Sequence, residues 1–138
     1  MTKVPKYWIK AKAYLSKKDR TMSRLIKSYN SPSETILTSR RNIFFSLCKS
    51  IIGQQISVTA ANSVFLKFKK KCNNQINPKV VSKLTFSQIK KCGLSRQKVL
   101  GIKSLAKQIM DKSFKPRLIP KMSDEEAIIY LSNLRQIG

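Results

Sequence analysis

Histidine is absent from this chain, and only six carboxylate residues and three cysteines accompany its 29 lysines and arginines. Without imidazole there is no His-assisted nucleophile and no His-liganded metal, so any acid–base step falls to the carboxylates. Asp124, Glu125 and Glu126 occupy the first turn of a helix, where negative charge favours the dipole. Asp19 and Asp111 stand among lysines on helix faces. All of these read as structural, and no catalytic constellation can be assembled from them. Cys48, Cys72 and Cys92 are odd in number, widely spaced and unaccompanied by His, which points to reduced, partly buried thiols and not to a zinc site or a disulfide framework. No cofactor is called for.

The informative polar groups are elsewhere. In Ser50-Ile51-Ile52-Gly53-Gln54-Gln55-Ile56-Ser57-Val58-Thr59-Ala60-Ala61, two neutral amides follow a glycine between two helices. Such amides can enter DNA without adding charge, and they can equally serve as ordinary loop and helix-end polar groups. The spacing alone does not choose between these uses.

The elements that must position them are helices throughout. Apolar residues recur at helical spacing in nearly every segment and sustained two-residue alternation is absent, so the expected fold class is all-α. Helices are predicted over about Lys6–Ser16 and Asp19–Tyr29, then, after the loop signal Asn30-Ser31-Pro32-Ser33, over Asn42–Ile52. Ser57 is predicted to cap the next helix, with Val58, Ala61, Phe65, Phe68 and Cys72 on its apolar face. Short helices follow from Pro78 and from the Thr85 cap, the second stopped by Gly93. Ser95 caps a longer one, Arg96–Lys112, in which Gly101 implies a close neighbour. Pro116 and Pro120 break the next connection. Ser123 and Glu126 then form a capping box for a helix predicted to run through Ile128, Leu131 and Leu134 towards Gly138.

A formal net charge of +23, spread along the chain, favours a polyanionic partner; codon usage rich in A·T is the other source of so many lysines. No apolar run approaches the roughly 20 residues that span a bilayer, and Met1–Lys6 holds no apolar signal-peptide core. A membrane partner is therefore not expected.

Ile51-Ile52-Gly53-Gln54-Gln55-Ile56-Ser57 resembles the helix-loop-helix signature of the 3-methyladenine DNA glycosylase II family, within the helix-hairpin-helix DNA glycosylase superfamily. Three further stretches resemble the same family in the same order: Tyr7-Trp8 with Leu15-Ser16 and Asp19; Gly93-Leu94-Ser95 with Lys98; and Leu131 through Leu134-Arg135-Gln136-Ile137-Gly138.

The resemblance implies a two-lobed helical fold. Residues 1–40 would give N-terminal helices of a terminal lobe, and 41–138 a central lobe ending at the start of the hairpin motif. It implies base-excision repair by hydrolysis of the N-glycosidic bond of alkylated bases in duplex DNA, by a protein that is monomeric when complete. Gln55 matches the position of the wedge that fills the gap left by an extruded nucleotide. Gln54, Gln55, Ser57 and Gly138 are the expected DNA-contacting residues. Gly138 would begin a phosphate-binding nest of backbone amides, whereas read by itself it is a helix C-cap glycine. The family's essential aspartate is expected beyond Gly138, so the stretch in hand is expected to be inactive alone. Trp8, Tyr14, Leu25 and Ile26 would then lack packing partners, making the chain marginally stable. The implied location is with the DNA: cytoplasmic and nucleoid-associated, or nuclear in a eukaryote. A non-catalytic basic DNA-binding module and a helix-turn-helix regulator are the alternatives.

Overall fold

The computed structural model describes residues 5–29 and 42–138, which form helices joined by turns and short connections, with no strand among the described residues. The predicted loop at Asn30–Ser33 lies outside them. The chain divides into two compact units, 1–40 and 41–138.

The first unit is a pair of helices, α1 (Trp8–Lys18) and α2 (Arg20–Ser28), packed on each other. The junction is set by Asp19, whose extended backbone ends α1 and whose carboxylate accepts a 2.7 Å hydrogen bond from the Met22 amide, capping α2. Neither helix buries a residue fully; Tyr14 is 63% and Leu25 47% exposed. Trp8, Leu15, Met22 and Ile26 line an apolar groove along the pair.

The second unit contains α3 (Ile43–Gly53), α4 (Val58–Lys71), α5 (Pro78–Lys83), α6 (Phe86–Lys90), α7 (Arg96–Met110), a 3-10 turn (Pro116–Lys121) and α8 (Asp124–Ser132). All six of these α-helices begin at an Asn, Ser or Thr whose side chain accepts from the amide three residues on: Asn42, Ser57, Asn77, Thr85, Ser95 and Ser123. Thr85 and Ser123 form reciprocal capping boxes with Gln88 and Glu126. Each such cap is worth about 1 kcal/mol.

The core is built around α3 and α7. Phe44, Cys48, Ile51 and Ile52 of α3 meet Val99, Ile102, Leu105 and Ala106 of α7, with Phe65 and Phe68 of α4 and Val81 of α5 completing the cluster. Each fully buried aliphatic or aromatic side chain contributes roughly 1.5–3 kcal/mol against the entropy of ordering it. Phe114 stacks on Tyr130, centroids 5.1 Å apart, and the Tyr130 hydroxyl accepts from the Lys115 amide at 2.9 Å, fastening the segment before the 3-10 turn to α8.

Three sequence expectations are corrected. Val58 is 78% exposed, because it stands at the first position of α4, ahead of the turns that face the core. The last helix stops at Ser132 instead of continuing through Leu134: Asn133 caps it and tight turns follow, with Leu134 N–H bonded to Leu131 O and Ile137 N–H to Leu134 O. This break buries Leu134, while Ile128 within α8 is 64% exposed. Asp19 and Asp111 sit at helix ends, not on faces.

No helix among the described residues is long and apolar enough to cross a membrane.

Candidate nucleic-acid interface

The loop between α3 and α4 is short because both helices terminate sharply. Gln54 leaves α3 in an extended conformation, Gln55 turns into the left-handed region at φ 56°, and Ser57 caps α4 by accepting from the Ala60 amide at 3.2 Å. A left-handed residue other than glycine costs roughly 1–2 kcal/mol, so it persists only where its surroundings hold it.

Two long-range contacts do the holding. Lys98 lies in the first turn of α7, and its ammonium donates to Ile52 O at 2.9 Å and Gln54 O at 2.8 Å. Carbonyls at a helix C-terminus have no partner within the helix and carry the negative end of its dipole, so a lysine is well matched to them. On the other side, the Gln54 side-chain amide donates to Gln136 O at 2.6 Å. That bond joins the loop to the segment following α8.

The segment is seated by Gly101. A Cβ there would come within 2.8 Å of Gln136 Cγ and 3.4 Å of Arg135 O, so α7 carries no side chain where the segment crosses it. Arg135 donates to Gln97 Oε1 at 2.9 Å, and Gln136 is itself left-handed at φ 67°.

The four expected DNA-contacting residues thus fall into different situations. Gln54 is partly buried and its amide is committed to Gln136. Gln55 and Ser57 are exposed, Gln55 at the apex of the loop and Ser57 at the start of α4. Gly138 is exposed with φ 142°, a backbone geometry that L side chains rarely adopt, and it lies past the Asn133 cap of α8, so it is not that helix's C-cap glycine. The Gln54 to Gln136 bond brings the Gln55 loop and the Gly138 end of the segment to one side of the unit.

Lys98 and Gln136 were not assigned to the site from the sequence. The signal for Lys98 was present: a lysine in a helix's first turn faces the unfavourable end of the dipole. That local cost implies a partner elsewhere, here the end of α3.

The described carboxylates are engaged at helix termini. Asp111 accepts from Ser113 N–H at 2.9 Å and Ser113 Oγ at 2.6 Å, and these bonds hold its pKa below the usual value. Glu126 returns to the Ser123 amide at 2.8 Å. Among the described residues no cluster of His, Cys, Asp and Glu could hold a metal. The three cysteines are free and buried.

Residues 48–135, which include the loop, Lys98 and Gly101, match the HhH-GPD superfamily base excision DNA repair protein family. The chain is 28% identical over 137 residues to DNA-3-methyladenine glycosylase 1 of Schizosaccharomyces pombe, covering 94% of this chain and 58% of that protein. It is 26% identical to the alkylbase DNA glycosidase-like protein mag2 of the same organism, over 93% of this chain and 62% of the relative. The chain therefore spans about three fifths of the length of these curated relatives. Among solved structures it superposes on the S. pombe 3-methyladenine DNA glycosylase in complex with abasic DNA with a TM-score of 0.82 at 26% identity, covering 94% of this chain and 64% of that one. A DNA-3-methyladenine glycosidase from Bacillus halodurans shares the fold, with a TM-score of 0.70 at 20% identity over 93% of this chain and 58% of its own. The chain belongs to the HhH-GPD superfamily of base excision DNA repair proteins.

Proposed function

We propose that this protein acts in the removal of alkylated bases such as 3-methyladenine from duplex DNA, and that residues 1–138 supply duplex binding and the wedge for base flipping. The observation that carries the reading is Gln55: an exposed amide on a left-handed residue, at the apex of a loop braced from both sides.

In this reading the basic surface draws the phosphate backbone in, and Gln55 enters the stack as the damaged nucleotide swings out. Its amide can occupy the vacated space and hydrogen-bond the orphaned base, offsetting part of the few kcal/mol that extrusion costs. Ser57 and the α4 N-terminus stand beside it, where first-turn amides and the dipole suit a phosphate. Hydrolysis then exchanges the bond from the sugar to the base nitrogen for one to water, releasing free base and leaving an abasic sugar. An alkylated purine carries positive charge and leaves readily, so the chief requirement is a carboxylate that stabilises the oxocarbenium-like sugar. Of the described carboxylates, Asp19, Asp111 and Glu126 accept hydrogen bonds at helix ends, and Asp124 and Glu125 stand in the first turn of α8. We assign recognition to residues 1–138 and, as the family resemblance implies, the excision carboxylate to residues outside them.

The test uses the 138-residue chain on methylated duplex DNA, following complex formation and release of free methylated base separately. Salt-sensitive binding without base release is expected. Base release by this chain would overturn the assignment of the carboxylate, and absence of duplex binding would overturn the reading as a whole.

A further inference from the structure

The geometry points to Lys98 as a positioning residue for the Gln55 loop, acting with Gln54 as a two-sided clamp. This rests on the reading of Gln55 as a wedge, and it deepens that reading by naming what keeps the wedge presented.

An exposed loop residue at φ 56° tends to relax toward ordinary backbone unless its neighbours are fixed. Here both are. The carbonyl on the N-terminal side of Gln55, Gln54 O, accepts from the Lys98 ammonium, as does Ile52 O two residues earlier. On the C-terminal side, the Ser57 cap anchors the backbone to α4. The Gln54 side chain then ties the same turn to Gln136, whose seat on α7 exists because residue 101 is glycine. Lys98 belongs to α7 as well, so one helix braces both the loop and the segment that reaches Gly138.

A lysine in a chain of net charge +23 would ordinarily be counted as a phosphate contact. Lys98 is different: it is partly buried, and two of its three donors are spent on backbone carbonyls. Its removal should therefore change loop order and discrimination between DNA substrates more than overall affinity.

The test compares the 138-residue chain with Lys98→Met, Lys98→Arg and, as a control for the loss of one exposed charge, Lys90→Met. Two readouts are taken: backbone NMR order of Gln55 and Ile56 without DNA, and the ratio of affinities for a duplex holding one tetrahydrofuran abasic site over the undamaged duplex. Lys98→Met is expected to loosen the loop and reduce the ratio by about tenfold or more, the equivalent of one charge-assisted hydrogen bond. Lys98→Arg should restore most of both, and Lys90→Met should lower the two affinities together and leave the ratio intact. A loop as ordered in Lys98→Met as in the parent overturns the proposal whatever the DNA result. A loosened loop in Lys98→Met, with a parent chain that shows no abasic preference, supports the clamp and overturns the wedge reading instead. If Lys98→Met does not fold, Lys98→Gln, whose shorter amide cannot reach both carbonyls, takes its place with the same two outcomes.

Discussion

At single residues, groups that face the solvent stand beside groups spent on the fold. Gln54 and Gln55 are adjacent and chemically identical, yet one is bonded to Gln136 and the other is exposed. Nothing in the local sequence separates them, because the partner lies more than eighty residues away. Gln54→Leu, which removes the donor and leaves a partly buried carbonyl unpaired, is expected to cost about 1–2 kcal/mol in denaturant unfolding. The thiols give a second prediction. Burial pushes Cys72 up from 9.0 to about 11, with Cys92 nearby adding to the rise. Burial likewise raises Cys48, with Cys72 contributing. A thiol that ionises later in the folded chain than in the unfolded one stabilises the fold fully below pH 9.0, and that contribution falls as pH climbs towards about 11. The stability difference between the parent and Cys72→Ala, measured by denaturation, should therefore narrow as pH rises through this window; a constant difference would contradict the assignment.

At the scale of elements, most of the helices were legible because their signals are local. Ser57, Thr85, Ser95 and Ser123 each cap the helix expected of them, since a cap needs only a side-chain oxygen and an amide three residues on. Gly101 also announced a close neighbour without naming it. The end of α8 was not legible, because helical periodicity continues through Leu134 while the chain leaves the helix to bury that residue and seat Gln136 on α7. Lys98 falls within a stretch that resembles the family, but its role depends on the end of a helix 44 residues away. Two substitutions test these elements. Ser57→Ala is expected to lower stability by about 1 kcal/mol through loss of the α4 cap. Gly101→Val, which forces a side chain into Gln136, is expected to cost about 2 kcal/mol and to free the Gln54 amide, observable as a shift of its side-chain NMR signals.

For the whole molecule, family membership and fold stand on the match across residues 48–135 and on the superposition with the S. pombe glycosylase. The two units should differ in stability. With no fully buried residue in α1 or α2 and many in α3 and α7, amide exchange is expected to be much faster in the first unit than in the second. Affinity for undamaged duplex should fall steeply with salt, the log–log slope approaching about −0.9 for each phosphate contacted. The wedge role of Gln55 is tested by the affinity of the 138-residue chain and its Gln55→Ala variant for a duplex with one abasic site, each set against the undamaged duplex. The parent is expected to prefer the abasic duplex, and Gln55→Ala to lose this preference while keeping its affinity and salt slope on undamaged DNA. An unchanged preference in Gln55→Ala would contradict the wedge role.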